Sequence, residues 1–305
     1  MKKSNQENNK YNAIWLSHSS ISDYIKCPRL YYLRNVWKNK KGQKVNIVSP
    51  SLSLGSAVHQ TIEPLANLKT EERLKQNLLE IFEKNWKKFE GEMGGFEDKE
   101  TENIYKENGL KMIKNVLENP GPIAKKTIKF YNGDFIPNIY LSEKENIILC
   151  GLVDWVEYEE ATDTLKVIDF KTGKNDEKEE SMQLPIYKIL VEALQKRKVS
   201  KGAYWYLERD KFPRNIEILD EDLQEVKNKI LEIGLQIKKR KNADNKKELE
   251  ENFSCKYKDG CFACKPFELI KKFDENINFA ENVKFLGVGE YKQALYFVKA
   301  EKSMV

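Results

Sequence analysis

The sequence predicts an α/β protein with a central mixed sheet flanked by helices and carrying a helical insertion. Three observations predict it. Apolar residues recur at helical spacing through most of residues 17–118. The pattern then shortens to apolar or alternating runs separated by turn residues, as strands require. Beyond residue 178 helical and strand patterns alternate, an order that lays helices on the faces of a sheet.

Taken in order, residues 1–12 read as a polar tail. Ser17–Ser20 offers an N-cap to a first helix in which Ile21, Tyr24, Ile25, Leu30, Tyr31 and Leu33 recur at roughly helical spacing. A basic stretch, Lys38–Lys44, and a Ser/Pro segment lead into helical patterns over Leu52–Leu68, Glu71–Phe89 and about 98–118. The Gly-rich break Gly91–Gly95 separates the last two, and Pro120-Gly121-Pro122 ends the section. Strands are predicted over Ile123–Tyr131, Phe135–Leu141, Ile147–Tyr158 and Thr164–Lys171. A helix over Glu179–Lys198, strands at Ala203–Glu208 and Asn215–Leu219, and a long amphipathic helix Asp220–Arg240 behind an aspartate cap follow. A cysteine-rich segment occupies 254–266, and no pattern assigns the remainder. The expected organisation is one domain over 13–275, with the helical insertion at about 60–122 and an extension at 276–305.

Composition excludes more than it assigns. The chain has 305 residues with 14 Phe, 14 Tyr and 5 Trp, too rich in core-forming side chains for a disordered protein. The longest apolar stretch, Ile147–Val153, is far short of the roughly 20 residues of a membrane helix. The opening MKKSNQENNK lacks the apolar segment of a secretory signal, so a soluble cytoplasmic protein with no membrane partner is expected. The net charge of +5 permits nucleic-acid binding without arguing for it, since overt binders cluster their basic residues. Five cysteines, three within ten residues, point away from a disulfide framework.

The chemistry concentrates on two apolar runs that each carry one acid, GLVDWV at 151–156 and LKVIDFKTG at 165–173. An antiparallel hairpin turning through Glu159–Thr164 sets Asp154 opposite Asp169, and opposed residues share a face. Lys171, two residues on, points to that same face. Opposed carboxylates repel unless a cation lies between them, and oxygen ligands favour Mg²⁺ or Mn²⁺. Ordinary strand-end carboxylates beside a solvated lysine are the alternative. His59 lies on a helix among Ala57, Val58 and Ile62, where a lone histidine is usually packing. Gln183 and Tyr187 stand four apart and so share a helix face.

The segments SHSSISDYIKCPRLYYL (17–33), LGSAVH (54–59), GLVDWVE (151–157), VIDFKTG (167–173) and QLPIY (183–187), in this order, resemble the RecB-like branch of the PD-(D/E)XK nucleases. That branch includes the AddB and RecB nuclease domains and the CRISPR-associated spacer-acquisition nucleases. The resemblance implies a restriction-endonuclease-like fold and a divalent-metal-dependent deoxyribonuclease. It assigns metal ligation to His59, Asp154, Asp169 and the carbonyl of Phe170. It assigns Lys171 to the attacking water, and Gln183 and Tyr187 to orienting the site and the DNA. An exonuclease of DNA recombination or repair is the expected function. The alternatives are a CRISPR spacer-processing nuclease and a catalytically silent DNA-binding subunit of a helicase–nuclease complex. No GxxxxGK[ST] motif occurs, so helicase activity would have to come from a partner; a CRISPR adaptation protein is the other partner the resemblance implies. Lys38, Lys40, Lys41, Lys125, Lys126 and Lys129 are candidate phosphate contacts. Tyr204, Trp205 and Tyr206 either stack on bases or pack the sheet.

In iron–sulfur members of that branch one N-terminal and three C-terminal cysteines hold a 4Fe–4S cluster. Cys27, Cys255, Cys261 and Cys264 are the corresponding set here, with thiolate ligation the expected chemistry. The usual C-terminal spacing is C-x2-C-x5-C, whereas here Asn252 stands at the first position and Cys264 comes after Cys261. Zn²⁺ on the four thiolates, or no metal at all, are the other readings. Cys150, on an apolar strand, is expected to be a small buried side chain.

Overall fold

The computed structural model describes residues 12–129, 136–276, 281–289 and 292–299. The tail at 1–12 lies, but for Asn12, outside them, as do parts of the strands predicted over 123–131 and 135–141. The chain opens with β1 (Ile14–Leu16), and Ser17 then caps α1 (His18–Lys26). The cap is reciprocal: Ser17 Oγ accepts from the Ser20 N–H at 3.3 Å, and Ser20 Oγ accepts from the Ser17 N–H at 2.9 Å. Cys27 separates α1 from α2 (Pro28–Tyr31), which proline can begin because its missing N–H is not needed there.

After β2 (Val45–Ile47) come α3 (Pro50–Ile62), α4 (Thr70–Arg73), α5 (Leu78–Trp86) and α6 (Lys99–Glu118). The single helix predicted over Glu71–Phe89 is thus divided in two. Asn77 starts α5 as its cap, accepting from the Glu80 N–H. Arg73, only 2% exposed, turns inward and donates to the carbonyls of Leu68, Ile123 and Lys125.

The remaining elements are β3 (Asn138–Ser142), β4 (Ile147–Cys150), β5 (Trp155–Glu159), β6 (Thr164–Lys171), α7 (Gln183–Leu194), β7 (Val199–Tyr206), β8 (Arg214–Ile216), α8 (Asp220–Lys241), α9 (Lys246–Asn252), α10 (Lys265–Glu275), β9 (Val283–Val288) and β10 (Ala294–Val298). Two expectations change. The run Ile147–Tyr158 is two strands in different sheets, broken over Gly151–Asp154. Asp220 does not cap α8; its carboxylate pairs with Lys188 Nζ at 2.9 Å, and Leu219 is the capping residue. In the described part of 123–131 the chain makes a short 3₁₀ turn and one bridge, Thr127 to Glu157.

The strands form sheets in the orders β1-β4-β3, β2-β10-β9 and β5-β6-β7-β8. In the last, β6 pairs antiparallel with β5 and parallel with β7, so the sheet is mixed. The β5–β6 register, Trp155 opposite Ile168, is the one expected from the hairpin. Six consecutive residues of β6, Leu165–Phe170, are buried, because both faces of this sheet are covered. One face sends Val156, Val167 and Tyr204 into a core shared with β1, β4, α7 and α8. The other sends Trp155, Ile168, Phe170 and Trp205 into a second core closed by α3, α5 and α6. The adjoining ends of β5 and β6 lie where the two cores meet. Among the described residues no helix is long and apolar enough to cross a membrane.

Candidate active site

Phe170 is the centre of the site. Its N–H donates to Asp154 Oδ2 at 2.8 Å, so the Asp154 side chain takes the ladder acceptor's place where β5 peels away. Its carbonyl oxygen lies 3.1 Å from His59 Nε2, which α3 delivers from the other core. His59 Nδ1 meets Glu63 Oε1 at 2.6 Å, one helical turn on, and Asp154 Oδ2 at 3.6 Å.

On the α7 side of β6, Lys171 Nζ lies 2.9 Å from Asp169 Oδ2. It also lies 2.8 Å from Glu177 Oε2 and 2.6 Å from Gln183 Oε1. The Gln183 amide and the Tyr187 hydroxyl both donate to Asp169 Oδ1, the latter at 3.1 Å. Every residue singled out on these strands and helices therefore joins one of two networks that abut at the Phe170 peptide. Two carboxylates were missed. Glu63 had a signal, its i,i+4 spacing from His59. Glu177 had none, since it sits in the irregular segment between β6 and α7.

The electrostatics are those of a site short of positive charge. Burial, and then the Asp169 carboxylate, push the Asp154 carboxyl well above the usual range. Burial disfavours the His59 imidazolium, yet the Asp154 charge and the Glu63 hydrogen bond outweigh it and raise its pKa to about 10. Burial likewise opposes charge on Lys171, and Asp169 and Glu177 overcome it. One ligand atom each of His59, Glu63 and Asp154 lie within 4.8 Å of one another. With the Phe170 carbonyl alongside, this set of imidazole nitrogen and hard oxygens fits a divalent cation, which would supply the charge the carboxylates lack.

The second centre lies at the other end of the sequence. The Sγ atoms of Cys27, Cys255, Cys261 and Cys264 all lie within 4.8 Å of one another, with Cys261 and Cys264 3.6 Å apart. Cys27 comes from the α1–α2 junction and the others from the α9–α10 connection. Gly260 makes the turn at φ +80°, and a Cβ there would lie 3.3 Å from Cys264 Sγ. The N–H groups of Tyr257 and Cys261 donate to the sulfurs of Cys255 and Cys264 at 3.5 and 3.2 Å. Burial raises the thiols of Cys27 and Cys264. At Cys261 burial is outweighed by hydrogen bonds from backbone amides and Cys264, bringing it down to about 7. Four converging sulfurs with amide donors around them fit a bound metal. Cys150 is partly rather than fully buried on β4 and is not one of the four, its thiol pushed up by burial to about 11.

Other expectations resolve by packing. Tyr204, Trp205 and Tyr206 are at most 6% exposed, so they pack the sheet and present no stacking face. Lys125 Nζ is 2.6 Å from the buried Glu157, and Lys126 pairs with Glu160. The Lys40 amide and ammonium bond Asp274 and the Glu275 carbonyl, and Lys41 lies over the Phe285 ring. Lys38 and Lys129 are exposed.

D…DxK thus lies at the adjoining ends of β5 and β6 of a mixed α/β core, with Gln183 and Tyr187 on the helix that follows. The chain belongs to the PD-(D/E)XK nuclease superfamily, which it matches over residues 15–264. No curated protein matches it.

Proposed function

We propose that the protein is a divalent-metal-dependent deoxyribonuclease of the RecB-like branch, acting as an exonuclease in DNA recombination or repair. The observation that carries this reading is the pair of networks meeting at Phe170, with His59, Glu63 and Asp154 on one side and Asp169, Lys171, Gln183 and Tyr187 on the other. His59, Asp154 and the Phe170 carbonyl, with Glu63 beside them, are the groups that would hold Mg²⁺ or Mn²⁺, and Asp169 would join them from the α7-side network. The cation supplies Lewis-acid stabilisation of charge developing on the phosphate. Gln183 and Tyr187 fix Asp169, and Gln183 also fixes Lys171. Lys171 Nζ, kept protonated by its carboxylate partners, donates to the incoming water or to a phosphate oxygen. A helicase or a CRISPR adaptation protein is the partner this reading would call for.

The test is cleavage of end-labelled single- and double-stranded DNA with Mg²⁺ or Mn²⁺. Products shortened progressively from one end are expected, and EDTA should stop the reaction. Undiminished cleavage in EDTA would overturn the metal mechanism, and purely internal cuts would overturn the exonuclease mode.

For the four cysteines the proposal is a 4Fe–4S cluster that clips the two ends of the nuclease fold together. Zinc is the second reading, because one specific observation favours it. Sulfurs at about 2.3 Å around one tetrahedral ion stand roughly 3.8 Å apart. That is close to the 3.6 Å of Cys261 and Cys264. Thiolates on the separate irons of a cluster stand wider. Anaerobically purified protein should be brown, with about four irons per chain. Colourless protein with one zinc per chain would replace the cluster by the single ion.

A further inference from the structure

A lysine ammonium has three N–H donors. Lys171 Nζ donates to Gln183 Oε1 at 2.6 Å and is ion-paired with Asp169 and Glu177 at 2.9 and 2.8 Å. The Tyr204 ring lies 4.9 Å from Nζ as well. Three acceptor oxygens within 2.9 Å and a ring enclose the ammonium, so a phosphate oxygen reaches it at hydrogen-bond distance by taking the place of one of them.

The three partners are not equally held. Asp169 sits inside β6 with its side chain 4% exposed, and two further donors bind it. Gln183 is the first residue of α7 and is bonded to both Asp169 and Tyr187. Glu177 stands on the irregular segment before α7 with its side chain 26% exposed. Lys171 is the main partner of its carboxylate, with the Ser181 hydroxyl a lesser one. The segment itself is fastened by other atoms. The Glu177 N–H donates to Tyr206 Oη at 2.7 Å. Arg209 grips the Lys174 carbonyl and Asp176, and Arg214 reaches Asp176 at 3.3 Å. The carboxylate can therefore swing away while the backbone stays. A cavity of about 510 Å³ beside it, lined by Glu177, Tyr204, Tyr206 and Arg214 among others, gives it room to do so.

We infer that the Glu177 carboxylate occupies the anion position of the active site, and that a substrate phosphodiester binds by taking its place on Lys171. The inference deepens the nuclease reading and rests on it for the identity of the substrate. Glu177 is then a specificity-determining residue. It holds Lys171 aligned in the empty site, and it admits only an anion able to displace a carboxylate at hydrogen-bond distance.

The test compares the full-length wild type with Glu177→Gln and with Glu180→Gln, which makes the same charge change without touching Lys171. In the first arm, metal- and DNA-free protein is treated with acetic anhydride and Lys171 acetylation is followed by mass spectrometry. The second arm measures the Kd of a fluorescent single-stranded oligonucleotide by anisotropy, with Ca²⁺ in place of Mg²⁺. Loss of one competing ion pair predicts about fivefold faster labelling and about fivefold tighter binding in Glu177→Gln, with neither change in Glu180→Gln. Unchanged labelling, or weaker DNA binding in Glu177→Gln, overturns the inference. Faster labelling when no protein form binds DNA supports the displaced carboxylate and overturns DNA as the substrate.

Discussion

Alanine at Lys171 or at Asp154 is expected to lower the proposed DNA cleavage by on the order of a thousandfold, the scale on which a lost electrostatic contact to a phosphoryl transition state is felt. The two substitutions fail for different reasons. Lys171→Ala removes the one ammonium of the α7-side network and leaves Asp169, 4% exposed at its side chain, with only neutral donors. Asp154→Ala removes a carboxylate that both holds the Phe170 N–H and faces His59. Asp154→Asn separates these duties, since its amide oxygen can still accept from Phe170 while the charge is gone. Cleavage should be lost in Asp154→Asn, and Mn²⁺ affinity measured by electron paramagnetic resonance should fall with it. In Lys171→Ala, Mn²⁺ binding should survive. Cleavage that persists in both alanine variants means the reacting groups lie elsewhere.

Arg29→Met is expected to destabilise the folded protein by about 3 kcal/mol, the cost of stranding partly buried carboxylates. The Arg29 side chain is 11% exposed; its Nη2 lies 2.6 Å from Glu250 on α9 and 3.1 Å from Glu268 on α10, and its Nε also bonds Glu268. It lies over the Tyr32 ring as well, 5.1 Å from the centroid. Lys271 meets Glu250 at 2.9 Å and remains in the variant. This ion network ties α2 to α9 and α10 beside the cysteine centre, but it is made by other atoms. The loss should therefore appear in urea unfolding of metal-free protein too; equal stability of wild type and variant would refute it. Acid should act on the same contact. Burial works to raise the Glu250 carboxyl, and the hydrogen bonds from Arg29 and Lys271 more than reverse it, so it lies below its ordinary value. A depressed carboxyl contributes stability above its unfolded pKa, about 4.3, and loses that contribution as pH falls through the folded value. Wild type should therefore lose more stability than Arg29→Met between neutral pH and about pH 3.

Much of the site was legible because it is built from short periods. The β5–β6 turn is short and the side-chain period of a strand is two, so the hairpin register followed from placing the turn. Gln183 and Tyr187 were read onto one helix face, and both bond Asp169. Glu63 was equally readable, four residues after His59, but nothing in the sequence told which face of α3 looks at Phe170. Glu177 was not readable at all, because no repeat governs an irregular connection.

Where local rules met tertiary contacts, the contacts prevailed. Ile147–Tyr158 reads as one strand, yet its halves pair with β1 and with β6 in different sheets. Glu71–Phe89 reads as one helix until Arg73 is drawn inward to three carbonyls. Lys125 reads as a surface cation until the buried Glu157 claims it.

By itself, then, the sequence determined the elements with a strong period, the register of the β5–β6 hairpin, and the cysteines worth grouping, whereas Asp154 leaves the ladder and bonds the Phe170 N–H instead of standing opposite Asp169. Period and turn length are local, and local geometry is written in neighbouring residues. Only the tertiary structure decided that His59 meets the Phe170 carbonyl, that Cys27 meets the C-terminal cysteines, and that Glu177 sits on Lys171. The first two close separations of more than 100 residues, for which no periodicity exists. The third depends on how a loop is tied down by Arg209, Arg214 and Tyr206, and so on the packing of the sheet beneath it.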